Sequence, residues 1–317
     1  MTDPVKSPIK IPTLARIVQI ASGYHHLAMR TDEGNVLTMG CGENGQLGRL
    51  AERFATRAGR NWQHALMRPA IVPIKMASRR ADRGSDKQLS LPSSDLNKSQ
   101  ESSSSSHHDR RIAVDIWAGG YATIVKLESG AVIGFGLNSS SQLGFKSTGA
   151  TAEECCVFQP MYLPALSALE PSAISCGHHH TLAISSKDDR VYACGAKAYG
   201  ACGQDPEDGG SGDDAATASS VVETPTVVEA LKDVAVTAVS AGIYTSYAAT
   251  KDGAMWSWGT GTNNALGHGD EEDHFEPEKV DSKQLKTRKV TAISAGGQHC
   301  TLLAVDAEKE DKTREGA

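Results

Sequence analysis

The sequence contains no apolar run that approaches the roughly 20 residues needed to cross a membrane as a helix. Its opening stretch, MTDPVKSPIKIPTLAR, places charges and prolines before any apolar segment, unlike a secretory leader. We therefore expect no membrane anchor and no membrane partner. The sequence predicts a soluble protein of the cytosol or the nucleus.

The chain also lacks paired cysteines and a basic excess. Its seven cysteines are odd in number and include no CxxC pair, so they fit neither a disulfide framework nor a zinc ribbon. Such usage indicates a reducing compartment. The formal net charge is -6, so a contact with nucleic acid would require a local basic patch.

The motifs of covalent catalysis are missing as well. The sequence has no GxSxG, HExxH or glycine-lysine-threonine loop, which makes a hydrolase or a metalloenzyme the least favoured class. We expect no covalent chemistry, no cofactor and no small-molecule substrate. The segment GCGENGQLGR (40–49) looks like a phosphate-binding loop, but Gly48 is followed by Arg49 and not by lysine with a hydroxyl residue.

That glycine-rich segment belongs to an internal repeat. Each copy has an apolar approach, a glycine, a polar turn and a closing glycine. The copies are TMGCGENGQLGR (38–49), IGFGLNSSSQLGF (133–145), YACGAKAYGACGQ (192–204) and WSWGTGTNNALGHG (256–269). A second signature precedes every copy and occurs once more at the end. Its leading glycines are Gly23, Gly119, Gly177, Gly242 and Gly296.

Short alternating strands with tight turns fill each repeat, as at 27–29 and 247–249. Repeated antiparallel units of this length are typical of propeller blades. The predicted fold class is all-β, a β-propeller of four complete blades and a partial fifth. We expect its glycines to let strands cross closely and not to hold phosphate, with positive φ at Gly40, Gly42, Gly45 and Gly48. The full set of these glycines is Gly40, Gly42, Gly45, Gly48, Gly259, Gly261 and Gly267.

With these segments identified, the sequence resembles the regulator of chromosome condensation family, chromatin-bound guanine-nucleotide exchange factors for the small GTPase Ran. Segments 21–60, 248–280 and 283–303 carry the resemblance, which extends over 17–306 outside the insertions. It implies a seven-bladed propeller whose ring face binds Ran and whose wedge expels nucleotide and magnesium. It also implies a nuclear, chromatin-associated protein of the cell cycle and nucleocytoplasmic transport, with a cytoplasmic location as the alternative.

The number of repeats departs from that family, because a closed ring of this kind needs seven blades. By the resemblance, the missing N-terminal blades would carry the wedge, an acidic residue important for exchange and a basic chromatin-binding tail. Two alternatives to an exchange factor therefore stay open. One is a non-catalytic propeller scaffold for protein–protein interaction, and the other is a truncated family member without exchange activity.

Composition divides the chain into repeats, insertions and tails. We expect an N-terminal tail over 1–13, propeller repeats over 14–306 and a charged C-terminal tail over 307–317. The serine-rich segment 77–111 and the small, acidic segment 205–220 predict disordered insertions.

The resemblance supplies candidate GTPase-facing residues one by one. His299 matches a family histidine implicated in exchange, and Arg49 matches a family arginine on the same rim. His25 stands where the family has an acidic residue. The matching histidine in CGHHHT is either His179 or His180, because both spacings fit.

A structural role is the alternative for these histidines. In a glycine-x-x-histidine turn the imidazole can bond a neighbouring group and pin the blade. That interpretation is favoured for His26 and has equal weight for His299. The run 178–180 does not predict a metal site, because adjacent strand residues point to opposite faces.

A basic loop follows the first glycine-rich segment, over 50–69. By the resemblance it leaves the propeller and inserts arginine into the acidic patch of the nucleosome. The planar guanidinium suits carboxylate clusters even in an acidic protein. A solvated basic loop is the equal alternative. The candidate nucleosome-binding residues are Arg53, Arg57, Arg60 and Arg68.

Overall fold

The computed structural model describes residues 15–49, 68–74, 111–204 and 220–307. These residues form four four-stranded antiparallel sheets and one two-stranded sheet. The prediction of an all-β propeller with four complete blades and a partial fifth is confirmed. No helix within the described ranges is long and apolar enough to span a membrane.

The strands follow one another in chain order along each blade. Among the described residues one short α-helix, α1 (Pro164–Ala168), lies between blades 2 and 3. Blade 1 contains β1 (Ile17–Ser22), β2 (His26–Thr31), β3 (Val36–Gly40) and β4 (Ala70–Ile71). Blade 2 contains β5 (Ala113–Ala118), β6 (Ala122–Leu127), β7 (Val132–Leu137) and β8 (Cys156–Tyr162). Blade 3 contains β9 (Pro171–Cys176), β10 (His180–Ser185), β11 (Val191–Ala196) and β12 (Val221–Val227). Blade 4 contains β13 (Val236–Ala241), β14 (Thr245–Thr250), β15 (Met255–Gly259) and β16 (His274–Lys279). The half-blade contains β17 (Arg288–Ala295) and β18 (Cys300–Asp306).

The hydrophobic core lies between consecutive blades and not within any one of them. In β6, Val125 packs in the cluster shared with blade 1, whereas Ile124 packs in the cluster shared with blade 3. In β14, Ala248 packs in the cluster shared with blade 3, whereas Tyr247 packs in the cluster shared with the half-blade. Successive side chains of a strand point to opposite faces, so each central strand supplies both of its neighbours. Full burial of a side chain such as that of Phe135 stabilises the folded chain by about 1.5–3 kcal/mol.

The glycine-rich turns join strand ends to the neighbouring blade. A Cβ at Gly40 would overlap the carbonyl of His25, because the end of β3 crosses the turn that precedes β2. The expectation of positive φ is wrong for Gly42. Gly261 has a φ of -87° and is packed against the carbonyl of Glu272. The remaining glycines of this group have positive φ: Gly40, Gly45, Gly48, Gly259 and Gly267.

Most of the predicted insertions and tails lie outside the described residues. Of segment 77–111 only Arg111 is described, and of segment 205–220 only Ser220. The predicted tail over 1–13 is outside as well, and the C-terminal tail contributes only Ala307. The domain boundaries therefore stay predictions.

Candidate functional site

One tight turn is repeated in all five sheets, between the first and second strands. In each, the N–H of the leading glycine donates to the carbonyl three residues later, as from Gly23 to His26 at 2.9 Å and from Gly177 to His180 at 2.8 Å. Further backbone bonds join the turns of blades 1 to 4, including that from His178 N to Gly242 O at 2.9 Å. These bonds place the turns side by side along one edge of the propeller, which we call the rim.

Position within the turn decides where each side chain lies. The second residue after the leading glycine is on the rim. The third begins the next strand in blades 1 to 4 and directly precedes it in the half-blade. The second-position residues are His25, Tyr121, His179, Tyr244 and Gln298. The third-position residues are His26, Ala122, His180, Thr245 and His299.

Aromatic and imidazole rings from four blades meet on this rim. We call them the rim cluster: Tyr24, His25, Tyr121, His178, His179, Tyr199 and Tyr244. The ring centroids of His178 and His179 are 4.1 Å apart, and those of His179 and Tyr244 are 5.1 Å apart with planes within 12°. Tyr24 and Tyr199 remain 52% and 47% exposed, so the cluster presents a partly open aromatic surface.

The histidines at the centre of the rim cluster are neutral near pH 7. Burial, aided by the neighbouring His179, lowers the pKa of His178 to about 4. Burial also lowers the pKa of His179. Neutral imidazoles can both donate and accept hydrogen bonds. The cluster therefore suits a partner that offers polar and apolar contacts, and it does not depend on anionic groups in that partner.

His26 lies beneath the rim and links blades 1 and 2. Its Nε2 is 2.9 Å from Thr123 Oγ1, and that hydroxyl donates to Gln46 O at 3.0 Å. Because the single hydroxyl proton is already donated, His26 Nε2 must carry the proton of the first bond. Burial, followed by repulsion from His25, lowers the pKa of His26 to about 4. His26 therefore joins the two blades through a buried hydrogen-bonded link, and we call a histidine in this role a pin.

His180 makes the equivalent link between blades 3 and 4. Its Nε2 is 2.8 Å from Ser246 Oγ, which donates to Ala201 O at 2.7 Å. The side chain is fully buried, and burial lowers its pKa to about 3. The structure corrects the sequence expectation here, since a buried His180 cannot face a GTPase. His179 occupies the rim position and His180 the pin position, so of these two only His179 remains a candidate for the GTPase contact.

His299 occupies the pin position of the half-blade, where no further sheet follows among the described residues. Its ring lies against the leading glycine, Gly296, as the ring of His180 lies against Gly177. Unlike His180, His299 is exposed. It is therefore accessible to a partner in this structure, and its role in exchange stays a prediction.

The arginine candidates separate into described and undescribed positions. Arg49 is partly buried, its guanidinium donates to Arg68 O at 3.4 Å, and burial lowers its pKa. Arg68 is exposed at the end of the basic loop. Arg53, Arg57 and Arg60 lie outside the described residues.

Sequence reasoning missed five members of the rim cluster: the tyrosines Tyr24, Tyr121, Tyr199 and Tyr244, and His178. A signal for three of them was present, because Tyr24, Tyr121 and Tyr244 follow the repeated glycines directly or after one residue. Tyr199 gave no such signal, since it comes from a glycine-rich turn and adopts a φ of 56°. The group best suited to a metal ion in the described ranges also lies elsewhere, at His268, His274 and Glu278 of blade 4.

Comparison with known proteins places this architecture among relatives. A family model described as RCC1-like domain matches residues 1–302. The human regulator of chromosome condensation is 35% identical over 312 residues, covering 98% of this chain and 63% of that protein. The human E3 ubiquitin-protein ligase HERC2 is 27% identical over 297 residues, which are 93% of this chain and 5% of the ligase. The chain thus spans less than two thirds of the human regulator.

Solved structures show the same fold. The crystal structure of Prp20p from Saccharomyces cerevisiae superposes with a TM-score of 0.73 at 22% identity, covering 98% of this chain and 63% of Prp20p. Human WBSCR16 superposes with a TM-score of 0.61 at 18% identity, covering 93% of this chain and 59% of that one. At these identities the likeness concerns the fold alone.

Proposed function

This chain belongs to the RCC1-like domain family, and on that premise we propose that it is a guanine-nucleotide exchange factor for a Ran-type small GTPase. We further propose that it is nuclear and docks on chromatin through its arginine-bearing loop. The similarity to the human regulator of chromosome condensation supports this proposal. So does the yeast Prp20p structure, which was described together with its binding properties to Gsp1p and histones.

The rim cluster is the observation on which the GTPase contact rests. Aromatic side chains are enriched where protein interfaces derive most of their binding free energy. His25, His179 and Tyr244 stand on one rim, come from three blades and are held by the same repeated turn. A partner that covers the axis would contact all three at once.

Exchange by such a surface requires no covalent step. A factor that binds the nucleotide-free GTPase more tightly than the nucleotide-bound form lowers the GTPase's nucleotide affinity by the same ratio. Exchange therefore requires a rigid surface that is complementary to the nucleotide-free GTPase. The inter-blade pins at His26 and His180 provide rigidity directly beneath the rim.

Chromatin docking rests on the basic loop that ends at Arg68. A guanidinium forms bidentate hydrogen bonds with carboxylates, so four arginines can bind an acidic histone surface although the whole chain has a net charge of -6. Arg49 holds the carbonyl of Arg68 and anchors the end of this loop to blade 1.

A non-catalytic scaffold is the second candidate. His25 is the observation that favours it, because by the resemblance an acidic residue important to exchange is expected at that position. The same rim would then bind a partner without releasing its nucleotide.

Nucleotide release tests both candidates. Ran loaded with a fluorescent GDP analogue is mixed with the purified chain, and release is compared with buffer and with the His179→Ala/Tyr244→Ala variant. Faster release by the wild-type chain alone supports exchange through the rim. Binding to Ran without release supports the scaffold. Neither binding nor release, from a chain shown by circular dichroism to be folded, would reject exchange on Ran and leave the scaffold only for a partner other than Ran.

A further inference from the structure

A cluster of metal-ligating side chains lies in blade 4, apart from the rim cluster and independent of the proposed function. The segment between β15 and β16 returns His268 toward the blade, with Gly267 and Gly269 on either side at φ of 82° and 100°. His274 and Glu278 both belong to β16. One ligand atom from each of His268, His274 and Glu278 lies within 4.8 Å of the other two.

The hydrogen bonds of His268 determine which of its nitrogens is available. Its Nε2 is 2.9 Å from Ser257 Oγ, and Ser257 Oγ donates its only proton to Leu266 O at 2.8 Å. His268 Nε2 must therefore carry the proton. In the neutral ring Nδ1 then has a lone pair that can bind a metal ion. The hydrogen bond from Nε2 to Ser257 orients the ring, as is usual for metal-ligating histidines.

His274 has two acidic neighbours. Its Nδ1 is 2.7 Å from Glu278 Oε2, while its Nε2 is 3.6 Å from Asp270 Oδ1. Nε2 is shielded from solvent and has no hydrogen-bond partner in the described part of the chain, since 3.6 Å exceeds hydrogen-bonding distance. The ring is stacked on His268 with centroids 4.3 Å apart and planes within 27°.

We propose that these side chains form a binding site for a divalent transition metal of the zinc class. His268 Nδ1, His274 Nδ1 and a Glu278 carboxylate oxygen are its ligands, and water completes a tetrahedral shell. The metal takes the place of the proton between His274 Nδ1 and Glu278. In the neutral ring that single proton moves to Nε2 by exchange with water and points toward Asp270, so that Ser257 and Asp270 each orient one ligating ring.

The donor set selects the kind of ion. Two imidazoles with one carboxylate suit zinc, whereas calcium and magnesium prefer shells made of oxygen alone. The site would tie the glycine-flanked segment to β16. That segment lies on the same edge of blade 4 as the rim turn, because Gly259 pairs with both Thr245 and His274. Metal binding would therefore stiffen a segment close to the rim.

Metal titration of the whole chain tests the proposal. Zinc binding is measured by competition with a chromophoric chelator, and Co²⁺ is added as a spectroscopic probe whose visible bands report coordination. We expect one ion per chain that is lost in His268→Gln and His274→Gln. Glu278→Gln and Asp270→Asn should lower the affinity by about 10–100-fold. His299→Gln, a matched exchange in the half-blade, should bind like the wild-type chain.

Thermal unfolding provides a second readout. At a hundredfold excess over Kd, zinc should raise the Tm of the wild-type chain by about 5 °C or more and leave that of His274→Gln unchanged. The Asp270→Asn variant keeps all three ligands and changes only an exposed side chain, so it tests the site even if a ligand variant folds poorly. Equal zinc affinity in the wild-type, His268→Gln and Asp270→Asn chains would overturn the proposal. Strong thiolate-to-cobalt absorption would also overturn the proposal, because it would show that cysteines and not these histidines bind the ion.

Discussion

The Nε2 atom of His180 in blade 3 lies 2.8 Å from the hydroxyl oxygen of Ser246 in blade 4, and that hydroxyl donates back to Ala201 O of blade 3. His26 and Thr123 form the same link between blades 1 and 2. A buried imidazole thus closes a hydrogen-bonded relay across each of these two interfaces. Below the rim, the blades are joined by specific polar contacts as well as by apolar packing.

Removal of a pin should destabilise the fold. His180→Ala leaves Ser246 without its donor and creates a cavity, so we expect a loss of about 2–4 kcal/mol in the free energy of unfolding. Urea denaturation measures it. His179→Ala, which alters the adjacent rim residue, should cost less than about 1 kcal/mol, and similar losses for the two variants would argue against the pin.

Stability should fall as the pH is lowered below 7. The pKa of His26 is about 4 and that of His180 about 3 when folded, against an ordinary 6.5 when unfolded. The unfolded chain therefore binds more protons below pH 6.5, so the stabilisation present above that pH is progressively lost toward pH 4. Between pH 7 and 5.5 we expect a loss of about 1 kcal/mol per histidine, measured by urea denaturation. His26→Gln should show a smaller pH dependence; an unchanged slope would contradict this assignment.

Close approach of strand and turn should make Gly136 irreplaceable. A Cβ there would overlap the carbonyl of Tyr121, and φ is 115°. Gly130 of the same blade has a φ of 83° but open space around it. We expect Gly130→Ala to lower the free energy of unfolding by about 1 kcal/mol and Gly136→Ala to lower it by at least twice as much. Chemical denaturation measures both losses. Equal losses in the two variants would mean that the positive φ alone, and not the overlap with Tyr121, determines the loss of stability.

Binding of the GTPase should depend on the rim cluster. His179→Ala and Tyr244→Ala remove two stacked rings, and we expect each to weaken Ran binding by about tenfold or more with little change in Tm. Surface plasmon resonance with nucleotide-free Ran measures the affinity. Tyr162→Ala removes an exposed tyrosine from the outer strand of blade 2, away from the rim, and should have no effect. Loss of binding in that variant as well would point away from the rim.

Nucleosome binding should depend on the basic loop. Arg57→Ala with Arg60→Ala should weaken binding by about tenfold or more, because each guanidinium can pair with histone carboxylates. Gel-shift titration with nucleosomes measures this, and the Tm should not change. Arg190→Ala, an exposed arginine in blade 3, is the control. Undiminished binding in the double variant would reject the loop as the docking element.

Much of the fold could be predicted because its signals are local. Glycine-rich segments such as 38–49 mark strand ends with positive φ, and their spacing shows how often the blade repeats. The failure at Gly42 has a local cause too, because a glycine count does not tell which residue of a turn takes the left-handed conformation. The proposed metal site could not be predicted from the sequence, since His268 and His274 form no sequence motif and meet only because their segment folds back on β16.

The sequence by itself determined the all-β class, the order of the repeats and the family, because these depend on patterns within single blades. Only the tertiary structure decided which histidine of the run 178–180 faces the rim and which is buried. Alternation along a strand leaves two choices, and a hydroxyl on the next blade, Ser246, selects between them. In the same way Tyr24 and Tyr244 belong to one surface only because blades packed around an axis bring their first turns together.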